Sequence, residues 1–167
     1  MLSILKYPDP KLHEISKPVT EFNDELRQLL DEMAVAMYAA NGVGLAAIQV
    51  GRPLRLFVID ITWAEDDGDK KLYEIINPKL HDGTGKILFE EGCLSVPGVT
   101  EEVSRKKEIT VDYQDRFGNP QSLRAEGLFA VALQHENDHL DGILFVDRLS
   151  PLKRRFVRKK LEKAVTL

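Results

Sequence analysis

The segment QHENDHLDG, residues 134–142, places two histidines four positions apart with a glutamate directly after the first. An α-helix advances about 100° per residue, so His135 and His139 project from one face and can clamp a metal ion. Glu136 lies on the flank of that face, where its carboxylate reaches a water on the metal and not the metal itself. The pattern predicts half of a metal site with an adjacent base, although two histidines can also meet by chance on a polar helix face.

The remaining ligand has to come from elsewhere in the chain. In zinc peptidases with this helix the third ligand lies downstream, but no histidine follows His139 and no glutamate appears before Glu162. Upstream, the single cysteine, Cys93, lies in EEGCLSVPG, which reads as the end of a strand. Two imidazoles and one thiolate leave a fourth position open for water, as catalytic sites do. The alternative for Cys93 is a buried apolar thiol.

The helix that carries the histidines is predicted over residues 128–140 and ends at Asp141-Gly142. Leu128, Val131 and Ala132 recur at spacings of three and four in line with the two histidines. The metal would therefore lie inside the protein, at the end of an apolar wall. Histidines on such a stripe also occur as ordinary core residues.

The remaining patterns predict an α+β fold. A first helix is expected over residues 24–40 with Asn23 as its N-cap, and a third, C-terminal helix follows Ser150. Few helical patterns separate the predicted strands, so we expect antiparallel β-sheets packed around a central metal-binding helix. Residues 63–71 read as a solvated loop. The strands are expected at residues 54–61, 72–80, 86–89 and 107–115, the last followed by a turn and a partner strand.

Composition narrows the class of protein. The chain has 167 residues, of which 43% are apolar, and we expect one catalytic domain over residues 1–167. A net charge of −4 gives no sign of a sequence-specific nucleic-acid binder. The N-terminus reads as neither a signal peptide nor a membrane span. Together with the single cysteine, this predicts a cytoplasmic protein that does not act at a membrane.

Three separated motifs carry a family resemblance: GVGLAAIQ at residues 42–49, EGCLS at residues 91–95 and QHENDHLDG at residues 134–142. In this order and spacing the sequence resembles peptide deformylase, which removes the formyl group from the initiating methionine of nascent bacterial chains. The resemblance covers essentially the whole chain. It implies one divalent metal per chain, expected to be Fe²⁺ and replaceable by Ni²⁺, Co²⁺ or Zn²⁺, with three ligands: Cys93, His135 and His139.

The resemblance also implies roles for the neighbouring residues. Hydroxide on the metal would attack the formyl carbon, and Glu136 would serve as general acid and base. The metal, the side-chain amide of Gln49 and the backbone N–H of Leu94 would bind the formyl oxygen. Arg105 is expected to contact the peptide beyond the pocket. Five further residues are expected at the methionine side chain or the adjoining backbone: Val43, Gly44, Leu128, Val131 and Ala132. Without the resemblance, residues 42–49 read as a helix cap followed by a core strand, and Arg105 as a solvated strand arginine.

The expected partners are N-formylmethionyl peptides and nascent chains. The C-terminal basic helix, residues 150–167, is predicted to dock on the ribosome, whose RNA is anionic, although a solvated face explains such a run equally well. Two other functions remain open, a zinc endopeptidase and a non-catalytic metal-binding module. The basic residues of this helix are Lys153, Arg154, Arg155, Arg158, Lys159, Lys160 and Lys163.

Overall fold

Two antiparallel sheets form the β part of the protein in the computed structural model, which describes residues 1–62 and 70–166. The larger sheet has five strands in the order β1-β2-β3-β6-β7, and β4 and β5 form a separate hairpin. Most of the loop expected at residues 63–71 lies outside the described residues. The strands are β1 Gly44–Ala46, β2 Leu56–Ile59, β3 Tyr73–Thr84, β4 Ile87–Cys93, β5 Val96–Arg105, β6 Glu108–Gln114 and β7 Pro120–Glu126.

Three α-helices complete the fold in the described part of the chain: α1 Asp24–Ala39, α2 Gly127–Leu140 and α3 Pro151–Thr166. The predicted N-cap of α1 is confirmed, because the side chain of Asn23 accepts a hydrogen bond of 3.0 Å from the Leu26 N–H. No helix within the described residues has both the length and the apolar character needed to cross a membrane.

Helix α2 lies between the two sheets and is central to the fold. Its small and apolar residues, including Ala130 and Leu133, pack against Phe57 of β2 and Ile75 of β3 on the five-stranded sheet. The histidines of α2 approach Cys93 at the end of β4. The predicted α+β class, with antiparallel sheets around a central helix, is confirmed.

Strand β5 is the main element that the sequence pattern did not predict as a whole. Its buried residues Val96, Val99 and Val103 do not alternate regularly with exposed ones, and Pro97 and Gly98 interrupt the strand signal. Pairing with β4 along its length holds it extended. The hairpin turn between the two strands is short, because Cys93 pairs directly with Val96.

Candidate metal centre and active site

Helix α2 and the β4–β5 hairpin bring three ligand atoms together. His135 and His139 lie one helical turn apart with ring centroids 5.1 Å from each other. The Sγ of Cys93 lies 3.5 Å from the Nε2 of His139, and ligand atoms of the three residues all lie within 4.8 Å of one another. One thiolate and two imidazoles are donors that zinc and iron accept in proteins. The three residues therefore fit a divalent metal.

A carboxylate fixes which nitrogen of His135 faces the centre. The Nδ1–H of His135 donates to Oε1 of Glu91 at 2.8 Å, which leaves the Nε2 lone pair for a metal. Burial alone would raise the pKa of Glu91, but hydrogen bonds from Arg105 and His135 outweigh this effect and lower the pKa. This acceptor is therefore ionised. Glu91 opens the EGCLS motif but was not among the predicted site residues. Its signal is an acid two residues before the candidate ligand Cys93, on the same strand.

The two histidines differ in their electrostatic surroundings. Burial alone would lower the pKa of His135, but hydrogen bonds with Cys93 and Glu91 raise that pKa well above its ordinary value. Burial and the neighbouring His135 lower the pKa of His139 well below its ordinary value, so that ring is neutral. The buried Nδ1 of His139 has no hydrogen-bond partner among the described residues. A neutral imidazole is the form that binds a metal, so His139 is ready to bind and His135 would release its Nε2 proton when a metal binds.

Glu136 is a buried carboxyl beside the three ligands. Its Oε2 lies 4.0 Å from the Nε2 of His135, and its Oε1 has no hydrogen-bond partner in the described part of the chain. Burial raises the pKa of Glu136 to about 7. Gly44 runs directly alongside, where an added Cβ would lie 2.8 Å from the Cδ of Glu136. Only glycine permits this close approach of the β1 backbone to the carboxyl.

The amide of Gln49 is held at the same centre by its own hydrogen bonds. Its Oε1 accepts from the Ala46 N–H at 2.9 Å, and its Nε2 donates to the hydroxyl of Ser95 at 3.0 Å. The same Nε2 lies 3.6 Å from the Sγ of Cys93. The side chain is therefore fixed with its donor directed at the candidate metal centre. Ser95, the last residue of the EGCLS motif and not a predicted site residue, supplies part of this anchoring.

A cavity of about 380 Å³ opens beside these groups and is largely apolar. It includes almost all the residues expected at the substrate, together with side chains of the β4–β5 hairpin such as Phe89 and Val99 that were not predicted. Leu94 follows Cys93 in the hairpin turn and also lines the cavity. The expected residues that line it are Val43, Gly44, Gln49, Leu94, Leu128, Val131 and Ala132.

Arg105 is the exception among the expected substrate residues. It does not lie exposed on its strand but is buried, and its guanidinium donates to Glu91 and Asp138. An arginine needs compensating carboxylates to be buried, and these two acids engage all three of its nitrogens. The alternative reading of a solvated strand arginine is wrong, because Arg105 is buried and its donors are directed at Glu91 and Asp138. Arg105 does not line this cavity, and its contact with the peptide beyond the pocket stays a prediction.

Comparison with known proteins gives consistent matches over nearly the whole chain. A model of the polypeptide deformylase family matches residues 1–155. Peptide deformylase of Wolinella succinogenes is 52% identical over 164 residues, which are 98% of this chain and 96% of that protein. The same enzyme of Helicobacter pylori strain J99 is 48% identical and covers 97% of this chain and 94% of its own length.

Solved structures agree with the sequence matches. The crystal structure of a peptide deformylase from Legionella pneumophila has a TM-score of 0.91 and 48% identity, covering 99% of this chain and 96% of that one. A peptide deformylase from Synechococcus elongatus, crystallised in complex with actinonin, has a TM-score of 0.88 and 42% identity. That match covers 95% of this chain and 86% of the other.

Proposed function

The chain belongs to the peptide deformylase family, and we propose that it hydrolyses the formamide of N-terminal formylmethionine on nascent polypeptides, releasing formate and a free amine. The observation that carries this proposal is the cluster of Cys93, His135 and His139 beside the buried, partly unpaired carboxyl of Glu136. Both groups adjoin an apolar cavity of about 380 Å³, which suits a methionine side chain.

Cys93, His135 and His139 are proposed to hold one divalent metal, with Fe²⁺ as the physiological ion and Ni²⁺, Co²⁺ or Zn²⁺ as substitutes. When bound, the metal polarises the formyl carbonyl and lowers the pKa of a water to about 7. The donor set supports this assignment, since thiolate and imidazole ligands suit these metals better than calcium or magnesium.

Glu136 is proposed to move the proton of the reaction. The carboxylate takes a proton from the attacking water and delivers it to the nitrogen that leaves when the C–N bond breaks. The formyl carbon departs as formate, and the nitrogen becomes the amine of methionine. Burial of Glu136 and the raised pKa of its carboxyl, about 7, support a group that both accepts and returns a proton.

The formyl oxygen gains negative charge during the attack and needs donors that are already in place. We assign the Nε2 of Gln49 and the backbone N–H of Leu94 to that oxygen. Gln49 is 1% exposed, and its bonds to Ala46 and Ser95 prevent it from turning away. The main chain of Gly44, which passes next to Glu136, is proposed to hydrogen-bond the peptide beyond the reacting group.

The first residue of the substrate provides a quantitative test of the proposed pocket. If Val43, Leu128, Val131 and Ala132 line it, a formyl-norleucyl peptide should react nearly as well as formyl-methionyl peptide. Alanine at that position removes apolar contacts worth about 2 to 3 kcal/mol, so kcat/KM should fall roughly 30- to 150-fold. A charged residue should react more slowly still, because none of these four side chains pairs with a charge.

Formate release from the four peptides, measured on anaerobically prepared protein, gives these ratios. Similar kcat/KM values for alanine, glutamate and methionine peptides would show that the four residues are only core and that the pocket lies elsewhere. Absence of formate release together with cleavage of internal peptide bonds would instead indicate an endopeptidase.

We also propose that residues 1–167 act as one catalytic domain in the cytoplasm and that the basic face of α3 docks on the ribosome. Inclusion of α3 in the domain is supported by Val157 and Leu161, which are each 3% exposed and pack in the same apolar cluster as Leu12 and Val96. Docking is supported by three exposed cations of α3 that form no ion pair with any described residue: Arg155, Lys159 and Lys160.

Reversing the charge of those three side chains tests docking without deleting the helix. Removal of α3 would expose the apolar cluster under Val157 and Leu161, so substitution is the cleaner change. Arg155→Glu, Lys159→Glu and Lys160→Glu together should weaken co-sedimentation with ribosomes at low salt, because contacts to phosphates are electrostatic and salt-dependent. Activity on short peptides should stay unchanged.

The matched control reverses three exposed cations on other parts of the surface, Lys11, Arg52 and Lys79, and so has the same net charge. If both triple variants lose co-sedimentation equally, only the total charge matters. If neither does, the basic face of α3 serves solubility alone.

A further inference from the structure

A continuous series of charged hydrogen bonds runs from His135 to the protein surface. Glu91, which accepts from Nδ1 of His135 at 2.8 Å, also accepts two hydrogen bonds of 2.8 Å from Nε and Nη2 of Arg105. The Nη1 of Arg105 donates to Asp138 at 2.6 Å. The Nε and Nη2 of Arg148 each donate a hydrogen bond of 2.7 Å to Asp138. We call Glu91, Arg105, Asp138 and Arg148 the charge ladder.

The charge ladder joins four separate elements of the fold. Glu91 lies on β4, Arg105 at the end of β5, Asp138 on α2 and Arg148 in the short 3₁₀ helix Phe145–Arg148 that follows α2. None of these contacts is between neighbours on one helix turn or strand. The ladder therefore fixes the position of α2 relative to the β4–β5 hairpin, the two elements that supply the three proposed metal ligands.

Burial decides how much freedom the ladder has. The side chains of Glu91 and Arg105 are each 3% exposed and that of Asp138 is 8% exposed, whereas that of Arg148 is 44% exposed. The negative charges of the two carboxylates balance the positive charges of the two guanidinium groups. Loss of any one of these groups leaves a buried partner with an uncompensated charge. A buried ion pair adds little net stability compared with apolar side chains of similar size. Stability alone is thus a weak reason for placing these charges beside a metal ligand.

We propose that Asp138 and Arg148 are positioning residues for the metal site and act on His135 through Arg105 and Glu91. Arg148 holds both oxygens of Asp138, and Asp138 holds the free arm of Arg105. Arg105 in turn donates to both oxygens of Glu91 and so fixes the orientation of this carboxylate, with Oε1 directed at the Nδ1 of His135. A carboxylate at this nitrogen sets the tautomer and orientation of the ring and raises its basicity as a ligand. Arg148, which touches neither substrate nor metal, thereby tunes metal affinity from the surface.

Arg148→Gln tests the outer end of the ladder, where 44% exposure of the side chain lets the fold tolerate the change. We expect the dissociation constant for Co²⁺, measured by competition with a chromophoric chelator, to rise about 10-fold, the lower end of the range for partners of metal ligands. The visible absorption bands of the Co²⁺-loaded protein should also shift, because the ligand field at His135 changes. Thermal unfolding of the metal-free protein is recorded alongside.

Arg116→Gln is the matched control. Arg116 makes the same two-pronged contact to a carboxylate, at 2.9 and 2.7 Å from Glu74, and also contacts Asp31, but none of its partners touches a proposed metal ligand. It should lower the unfolding temperature without changing Co²⁺ affinity or absorption. An Arg148→Gln variant that behaves in the same way as this control would overturn the proposal.

The inference rests on the metal site of the proposed function, and the same experiment separates the two. Native protein that fails to bind Co²⁺ refutes that metal site. Native protein that binds Co²⁺, with unchanged affinity and spectrum in Arg148→Gln, refutes the positioning role alone.

Discussion

Glu136→Gln is expected to lower kcat for formate release by about 10²- to 10⁴-fold or more while leaving the metal content at one per chain, as expected on loss of a general acid–base group. Glutamine keeps the size of the side chain but cannot accept a proton from water and return it to the amine. Oε1 of Glu136 has no hydrogen-bond partner among the described residues, so the substitution breaks few existing contacts. Initial rates and elemental analysis on the same sample check both halves of the expectation.

Loss of the metal, or retention of full activity, in Glu136→Gln would refute the general acid–base role of Glu136. A Glu136→Gln protein that is folded but metal-free would make the carboxylate a ligand, and the open coordination position would disappear from the proposal. Circular dichroism distinguishes that outcome from unfolding. Retention of full activity would assign the proton transfer to a different group.

Cys93→Ser is expected to remove most of the bound metal and nearly all activity. A serine hydroxyl is a harder and poorer ligand for these metals than a thiolate, and it is protonated at neutral pH. Cys93 is one of the three proposed ligands, and its Sγ lies 3.5 Å from the Nε2 of His139 and 3.6 Å from the Nε2 of Gln49. The measurement is metal per chain by elemental analysis after purification and metal loading.

Leu88→Ser is the matched control, since it places a serine on the same strand, β4, at a side chain that is 60% exposed. It should retain one metal per chain and normal turnover. Full metal occupancy with unchanged turnover in Cys93→Ser would remove Cys93 from the metal site and leave the alternative of a buried apolar thiol.

Local patterns predicted the helices and one part of the site well, for a clear physical reason. The spacing of His135 and His139 fixes their relation wherever the helix forms, because one turn of α-helix has the same geometry in any fold. The cap at Asn23 is likewise a contact within three residues of chain. Three separate motifs in order also sufficed to indicate the family, as the match over residues 1–155 confirms.

Contacts between distant segments were decided by the tertiary structure alone. Strand β5 is extended through its pairing with β4, although Pro97 and Gly98 weaken its own signal. Arg105 shows the consequence, because a strand arginine reads as solvated until the fold places Glu91 and Asp138 around it.

The sequence by itself therefore determined the family, the helices and the chemical types of the proposed ligands. Tertiary structure alone brought Cys93 within reach of the two histidines, formed the cavity and assembled the charge ladder behind His135. The physical reason is that helix periodicity and capping are short-range properties of neighbouring residues. Strand pairing and buried ion pairs join residues far apart in the chain, and only folding brings their atoms together.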